Sequence, residues 1–309
     1  MPVGVHVSTP VVSTPVVGKP GRRGRAGGAP RPGRVHVPGA ASAAVRPLLE
    51  APRRPARVLA AFPAGVYLEV RTEPEPTVIA VITGEAVRLP NAVLLAGALP
   101  RVEVGEDAWV GERGVDLGPL SLRVRRWWDP APPLGRVDPA GLEGAAGVLA
   151  APAGPAPGLA GNGAVAALAA ACGRGWLLGM ATAAEELVGL GPGLTPSGDD
   201  VLAGLLVTLR HLGTATGAGR AVWLAGWLAA TVTFDARSRT TPLSAALLHC
   251  AARGEACPEV IAVLRGVAGR QPLGPALRRL RRLGHTSGAD LAQGVAIGVD
   301  AVLDLGGHR

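Results

Sequence analysis

Two short stretches, far apart in the chain, carry the same polar residues at the same spacing. Residues 197–200 read Ser-Gly-Asp-Asp and residues 287–290 read Ser-Gly-Ala-Asp, and each runs into an apolar segment that contains a glycine. A serine three residues ahead of an aspartate, at the start of an apolar-periodic segment, is typical of a capped helix N-terminus. The pattern therefore predicts two similar helix N-termini. Such termini carry unpaired N–H donors and a partial positive charge, so two of them side by side would bind an anionic or strongly polar small molecule.

Capping alone would account for both stretches without any ligand, but their surroundings offer more polar groups than capping uses. The lead-in to the first stretch, residues 189–196, is rich in glycine and proline and would expose backbone amides at close range. His285 and Thr286 precede the second stretch. Gly204 and Gly294 lie within the predicted helices, where each costs about 1 kcal/mol relative to alanine. A backbone or a ligand is therefore expected to approach closely at these glycines.

A third polar cluster, residues 235–244, contains two arginines immediately before another predicted helix start. Thr240 or Thr241 is expected to cap that helix. Arg237 and Arg239, beside hydroxyl groups, suit a carboxylate or a phosphate, which a guanidinium binds through two parallel hydrogen bonds. A solvated loop with an ordinary cap is the alternative interpretation.

Three carboxylates accompany these groups. Carboxylates beside an anion site indicate metal bridging, hydrogen bonding to substrate amides, or simple capping. Asp200 and Asp290 fit the capping role best. Asp199 has no counterpart in the second stretch, where Ala289 stands, so it is the carboxylate expected to be free for function. His285 would be a base or a ligand, or have a structural role.

The 309 residues are long enough for two domains, and the predicted fold class is α+β. Residues 1–57 read as a disordered basic Gly/Pro/Arg tail. Residues 58–145 contain short β-branched runs separated by Gly and Pro, which predict an N-terminal antiparallel β-rich domain. A linker at 146–160 leads to an α-helical domain at 161–309 that carries the polar helix starts.

Cofactor signatures are sparse. The three cysteines, Cys172, Cys250 and Cys257, are widely spaced and lack the spacing of zinc ligands or of a disulfide framework. The glycines at 189–193 lack the Lys-Ser/Thr ending of a nucleotide-binding P-loop. No cofactor is identified on these grounds, and magnesium remains possible.

The net charge of +8 resides in the tail, because residues 1–57 hold ten of the 31 Lys and Arg residues and one of the 23 acidic residues. No nucleic-acid-reading motif accompanies this charge, so a nucleic-acid partner is not expected. The apolar run at 221–234 is shorter than the roughly 20 residues that span a bilayer, and the N-terminus lacks a secretory pattern. A cytoplasmic protein without a membrane partner is predicted.

The stretch at 189–200 resembles a bacterial family, long of unknown function, that is associated with a subunit of oxamate carbamoyltransferase in anaerobic allantoin degradation. Residues 239–244 and 285–290 are similar to later motifs of this family, in the same order. The resemblance extends over about residues 58–305 and leaves the tail outside.

The resemblance implies a purine-catabolic, multi-subunit enzyme that converts oxalurate and phosphate to oxamate and carbamoyl phosphate, or the reverse. Its partners would be the other subunits and a small anionic substrate. Asp199, which would orient an amide, and His285 are the expected catalytic residues. The expected substrate-binding residues are Gly191, Gly193, Thr195, Ser197, Gly198, Asp200, Arg237, Arg239, Thr240, Thr241, Ser244, Ser287, Gly288 and Asp290. Among them, the hydroxyls of Thr195, Ser197 and Ser287 would hold phosphate or carbamoyl oxygens, and the arginines a carboxylate.

Two other functions remain open. Paired aspartates at helix starts also hold magnesium in ADP-ribosylglycohydrolase-type hydrolases, whose late Asp-rich motif the segment from His285 to Gly298 resembles. His285 and Ala289 stand where acids would be wanted there. A non-catalytic scaffolding or regulatory subunit, with helix caps that bind no ligand, is the second alternative.

Overall fold

The computed structural model describes residues 34–151 and 154–307, which form a β-barrel followed by a helical region. The α+β class predicted from the sequence is confirmed. Within the described residues the strands are β1 (Val35–Ser42), β2 (Arg54–Phe62), β3 (Gly65–Val70), β4 (Thr77–Ile82), β5 (Ala92–Leu95), β6 (Asp107–Gly111), β7 (Gly114–Leu117) and β8 (Leu120–Trp128).

The barrel closes in the order β1-β5-β4-β3-β2-β6-β7-β8. Most neighbouring strands pair antiparallel, as predicted, but β1 pairs parallel with β8 and β4 pairs parallel with β5. The prediction of an antiparallel β-rich domain is therefore wrong at these two pairings. The barrel interior is filled by inward-facing aliphatic side chains, among them the fully buried Leu68, Ile79 and Leu122.

The barrel begins inside the segment that the sequence predicted to be a tail. Residues 34–57 contain β1, a short helix and the start of β2, so the prediction of disorder is wrong there, and residues 1–33 lie outside the described part of the chain. The glycine, alanine, proline and serine residues of β1 are misleading in the sequence because the same residue types are typical of linkers. Hydrogen bonding to both β5 and β8 holds this strand, and Gly39 has no side chain because a Cβ atom there would lie 2.7 Å from the Leu94 carbonyl oxygen.

Helices make up most of the chain after the barrel. Within the described residues they are α1 (Arg46–Glu50), which lies within the barrel segment, and α2 (Ala140–Ala150), α3 (Gly163–Gly173), α4 (Leu177–Leu187), α5 (Ser197–Thr216), α6 (Gly219–Phe234), α7 (Ala236–Arg239), α8 (Pro242–Ala252), α9 (Pro258–Val267), α10 (Leu273–Leu280) and α11 (Ser287–Leu305). The two predicted polar helix starts are the first turns of α5 and α11.

Helices α5 and α11 pack against each other at the centre of the helical region, and glycines make this possible. A Cβ atom on Gly204 would collide with the carbonyl oxygen of Leu291, and a Cβ atom on Gly294 would collide with the carbonyl oxygen of Val201. The contact is reciprocal. Leu291 lies three residues before Gly294, and Val201 lies three residues before Gly204, so each glycine meets the same position of the opposite helix. The close backbone approach predicted at both glycines is confirmed.

The barrel and the helical region are in direct contact. Val78 of β4 packs with Leu243 and Ala246 of α8, and the half-buried Val87 packs against the helical core. Helix α2 also contributes buried residues to that core, although the predicted domain boundary at residue 145 falls within it. The predicted division into two domains and a linker therefore remains a proposal.

None of the described helices is both long enough and apolar enough to cross a membrane.

Candidate functional site

The first turns of α5 and α11 lie side by side. The hydroxyl of Thr195, just before α5, is 3.0 Å from the hydroxyl of Ser287 in α11. The Ser197 hydroxyl lies 3.4 Å from that of Thr286 in the same way. Polar groups from two distant stretches of the sequence therefore converge at one place.

The aspartates of these turns do not act as predicted. Neither helix start has a side-chain cap, so the capping roles expected of Asp200 and Asp290 are wrong. The Asp290 carboxylate instead accepts a hydrogen bond of 2.7 Å from the amide of Gly158. Both aspartates stand one residue too deep in the helix to reach back to its open N–H groups, and they point toward neighbouring elements. Their second oxygens, both named Oδ2, lack a hydrogen-bond partner among the described residues.

Asp199 is buried, and both of its carboxylate oxygens accept hydrogen bonds. One of its oxygens accepts a hydrogen bond of 2.8 Å from the amide of Gly189, and the other accepts bonds from the hydroxyls of Thr240 and Ser244, the latter at 2.6 Å. The expectation that Asp199 is free is therefore wrong. Its carboxylate joins the glycine-rich loop to the start of α8, so within the described structure it positions the loop.

The predicted glycines divide into two kinds. Gly198 and Gly288 are buried, and a Cβ atom on either would collide with a backbone carbonyl, of Leu187 and of Leu280 respectively. These two allow each helix start to pack against the preceding helix. Gly191 adopts a φ of +120°, which only glycine adopts easily, and Gly193 adopts a φ of +96°. The loop before α5 therefore depends on glycine for its path.

The arginines lie elsewhere. Arg237 donates to the carboxylate of Glu69 at 2.8 Å and to the carbonyl of Pro76 at 2.7 Å, so it links the helical region to the barrel. Arg239 donates to the carbonyl of Glu185 and is largely exposed. Neither arginine lines the cavity described next, and their guanidinium groups donate to Pro76, Glu69 and Glu185.

The remaining predicted residues belong to the loop before α8 and the loop before α11. Thr241 caps α8, as predicted, by accepting a bond from the amide of Ser244, and it donates to the carbonyl of Leu194 at 2.6 Å. His285 is exposed and is not among the residues that line the cavity.

A cavity of about 320 Å³ lies between the barrel and the helical region, beside the two helix starts. Its wall includes a group of three polar residues, Thr195, Asp200 and Ser287, which we call the polar cluster. Most of the rest of the wall is apolar. The barrel contributes Phe62, Tyr67, Ile82, Val87 and Leu89, and the helical region contributes Ala203, Leu243, Leu247, Val260 and Leu291.

Burial dominates the electrostatics of the polar cluster. It raises the pKa of Asp200 well above its usual range, and the charges of Asp290 and Asp199 raise it further, whereas hydrogen bonds from Ser287 and Thr195 oppose the rise. A carboxyl group of this kind keeps its proton to higher pH than an ordinary aspartate does. It can donate a hydrogen bond or a proton to a ligand in the cavity.

The other titratable groups of the cavity wall are less suited to chemistry. Burial raises the pKa of the Cys257 thiol to about 12, so the reactive thiolate form is scarce at neutral pH. Glu255 is bound by Arg253, with one N–O distance of 2.7 Å. Burial also raises the pKa of Tyr67. The polar cluster is therefore the part of the wall best able to act on a ligand.

The residues of the apolar wall were missed by the sequence analysis. Ile82, Leu89 and Leu247 lie in or beside apolar runs, and such runs ordinarily form the core of a protein. The cavity lies where the barrel and the helical region meet, and packing between such distant parts of the chain leaves no local pattern in the sequence. The chain's single tyrosine, Tyr67, is the only conspicuous residue in that set.

The described residues contain no group of three or more His, Cys, Asp or Glu side chains placed to hold a metal ion. Asp199, one of the paired aspartates at the start of α5, already accepts three hydrogen bonds. The donor set of the magnesium-dependent hydrolase alternative is thus not assembled in this part of the chain.

Residues 187–299 match the family model described as oxamate carbamoyltransferase subunit AllH. The match covers both helix starts and the loop before α8, and it confirms the resemblance that these motifs indicate. The barrel lies outside the match. No solved structure matches the chain.

Proposed function

We propose that the chain is a subunit of an oxamate carbamoyltransferase-like complex, and that the polar cluster binds the carbamoyl or amide part of its substrate. The observation that supports this most directly is the arrangement of Thr195, Asp200 and Ser287. Two hydroxyls and a buried carboxyl group with one unpartnered oxygen meet at the wall of a cavity large enough for a small molecule.

The proposed reaction transfers a carbamoyl group between nitrogen and phosphate. An oxygen of hydrogen phosphate attacks the ureido carbonyl carbon of oxalurate, and the bond from that carbon to the oxamate nitrogen breaks. The departing nitrogen needs a proton, and the attacking phosphate loses one. A protonated Asp200 would supply the first and take back the second, so the step is balanced. The hydroxyls of Thr195 and Ser287 would donate to the carbonyl oxygen as it gains charge.

The location of basic residues favours a shared active site. Among the described residues, the lining of the cavity contains no Lys, Arg or His. The carboxylate of oxamate and the phosphate group therefore lack a cationic partner there, and burying them without one would be costly. A second subunit would supply the positive charge, which fits a family whose model is named for a subunit.

Reconstitution of the complex with and without Asp200→Asn tests this function. Asparagine keeps the shape of the side chain but cannot transfer the proton, so we expect phosphate-dependent oxalurate cleavage to fall by about 10²–10⁴-fold, the usual contribution of a general acid. Oxamate affinity, measured by calorimetry, should fall less.

Asp235→Asn is the matched control, because Asp235 is exposed and is not among the residues that line the cavity. It should leave both quantities unchanged. An Asp200→Asn complex with the full rate and the full oxamate affinity would remove the polar cluster from the mechanism.

A further inference from the structure

The cavity beside the polar cluster is more apolar than oxamate or carbamoyl phosphate requires. Ile82, Val87 and Leu89 face it from the barrel side, and Leu247 and Val260 face it from the helical side. Its volume of about 320 Å³ lies at the lower end of the range typical of small-molecule sites, which combine an apolar wall with a few polar groups.

The charges around the cavity also disfavour a ligand that is anionic throughout. Its described lining includes two carboxyl groups, Asp200 and Glu255, and no basic side chain. Glu255 is neutralised by Arg253 outside the lining, and Asp200 is bordered by Asp290 and Asp199. A neutral amide or ureido group avoids repulsion from these carboxylates, and a hydrocarbon group matches the remaining wall.

The lone unpartnered oxygen of Asp200 indicates where the polar end of such a ligand would bind. Asp200 is 8% exposed, it lines the cavity, and its Oδ2 atom lacks a hydrogen-bond partner among the described residues. Buried polar atoms are rarely left without a partner, so this oxygen calls for a donor or an acceptor from a ligand.

We infer that the cavity binds a carbamoyl or ureido compound that carries a hydrocarbon group, with its ureido end on the polar cluster and its hydrocarbon end against Ile82, Leu89 and Leu247. This inference rests on the proposed function and extends its substrate class from oxalurate to ureido compounds with an apolar substituent. Oxalurate is small and polar and leaves the apolar wall without contacts.

The test compares two neutral probes that share the ureido end, methylurea and isopentylurea, by ligand-observed NMR titration of the purified chain. Burial of the additional hydrocarbon should make isopentylurea bind about 10- to 100-fold more tightly than methylurea. Ala203→Phe, which places a ring in the cavity from α5, should reduce this preference to less than about threefold.

Ala167→Phe is the matched control, because Ala167 is an exposed residue of α3 that is not among the cavity-lining residues. It should leave the preference intact. Ala86→Leu narrows the cavity from the barrel side and is the second variant, since Ala86 lies half-buried in a loop and tolerates a larger side chain more readily.

The outcomes separate this inference from the proposed function. Equal affinity for the two probes, with oxamate binding that depends on Asp200, overturns the apolar substrate class and leaves the proposed function intact. Absolute affinities for both ureas that Asp200→Asn leaves unchanged, with the preference for isopentylurea intact, support an apolar site but contradict the assigned ureido end and the role of the polar cluster. Absence of binding by both ureas to the purified chain, together with a full rate and full oxamate affinity in the Asp200→Asn complex, overturns both.

Discussion

The two helix starts share a sequence pattern and a packing contact, but their polar residues do different work. Gly204 and Gly294 meet the opposite helix in the same way. Asp200 lines the cavity, whereas its counterpart Asp290 holds the amide of Gly158. The comparison teaches that the repeat specifies how two helices pack, and that elements outside the repeat decide which copy faces the cavity.

Substitutions in the contact between α5 and α11 should lower the stability of the protein more than the other substitutions described below. Gly204→Ala and Gly294→Ala each place a Cβ atom against a backbone carbonyl, and we expect each to lower the free energy of unfolding by about 3–4 kcal/mol in urea titrations, at the upper end of overpacking effects. Gly226→Ala is the control, because Gly226 lies in α6 with open space around its Cβ position and should gain stability. Unequal losses in the free energy of unfolding at the two glycines would contradict the equivalence of the two contacts.

Asp199 marks the clearest difference between the two copies, since Ala289 replaces it in the second. Asp199→Ala leaves three donors without their acceptor, so we expect a loss of about 2–3 kcal/mol in the free energy of unfolding. The exposed Asp235→Ala should change stability by less than about 0.5 kcal/mol. A loss at Asp199 no greater than that would show that the loop before α5 is held in another way.

The burial of Asp200 should make the free energy of unfolding depend on pH. The folded protein retains the Asp200 proton at pH values where the unfolded chain, whose aspartates titrate near pH 4, has released it. The free energy of unfolding therefore falls as pH rises from about 4 toward the raised folded-state pKa, by up to about 1.4 kcal/mol per pH unit. Asp200→Asn removes this contribution.

Urea titrations at several pH values check this prediction. The stability of Asp200→Asn relative to the unmodified chain should rise as pH increases above about 4 and should level off above the folded-state pKa. Parallel stability profiles for the two proteins would contradict a raised pKa at Asp200.

Arg237 should give the smallest effect. Its bonds to Glu69 and to the Pro76 carbonyl link the helical region to the barrel, but both side chains of the ion pair are partly exposed. Arg237→Ala should therefore cost only about 1 kcal/mol in urea titrations, and Arg237→Lys about half of that. A loss of ligand affinity in Arg237→Ala without any loss of stability would show that this arginine binds the ligand, as the sequence predicted.

The sequence predicted the features that depend on local pattern. The paired starts at Ser197 and Ser287, the cap at Thr241 and the close approach at Gly204 follow from spacing and propensity, and the structure confirms them. The family resemblance rests on the same local stretches.

The features it could not predict depend on distant parts of the chain. Arg237 looks like an anion ligand until Glu69 of the barrel is seen beside it. Asp199 and Asp200 are adjacent in sequence, but the helix turns them toward different neighbours. Only the positions of α8 and α11 show which of the two carboxylates has its oxygens occupied by hydrogen bonds within the chain. The apolar wall belongs to both regions and has no signature of its own.

The closing strand of the barrel also determines where the chain can be shortened. A protein that started at residue 58, where the β-like runs become obvious in the sequence, would lack β1 and would leave the facing edges of β5 and β8 without partners. Such edges recruit strands from other molecules, so the shortened protein would self-associate. Part of the stretch that looks most dispensable in the sequence therefore covers two strand edges that would otherwise be open to association.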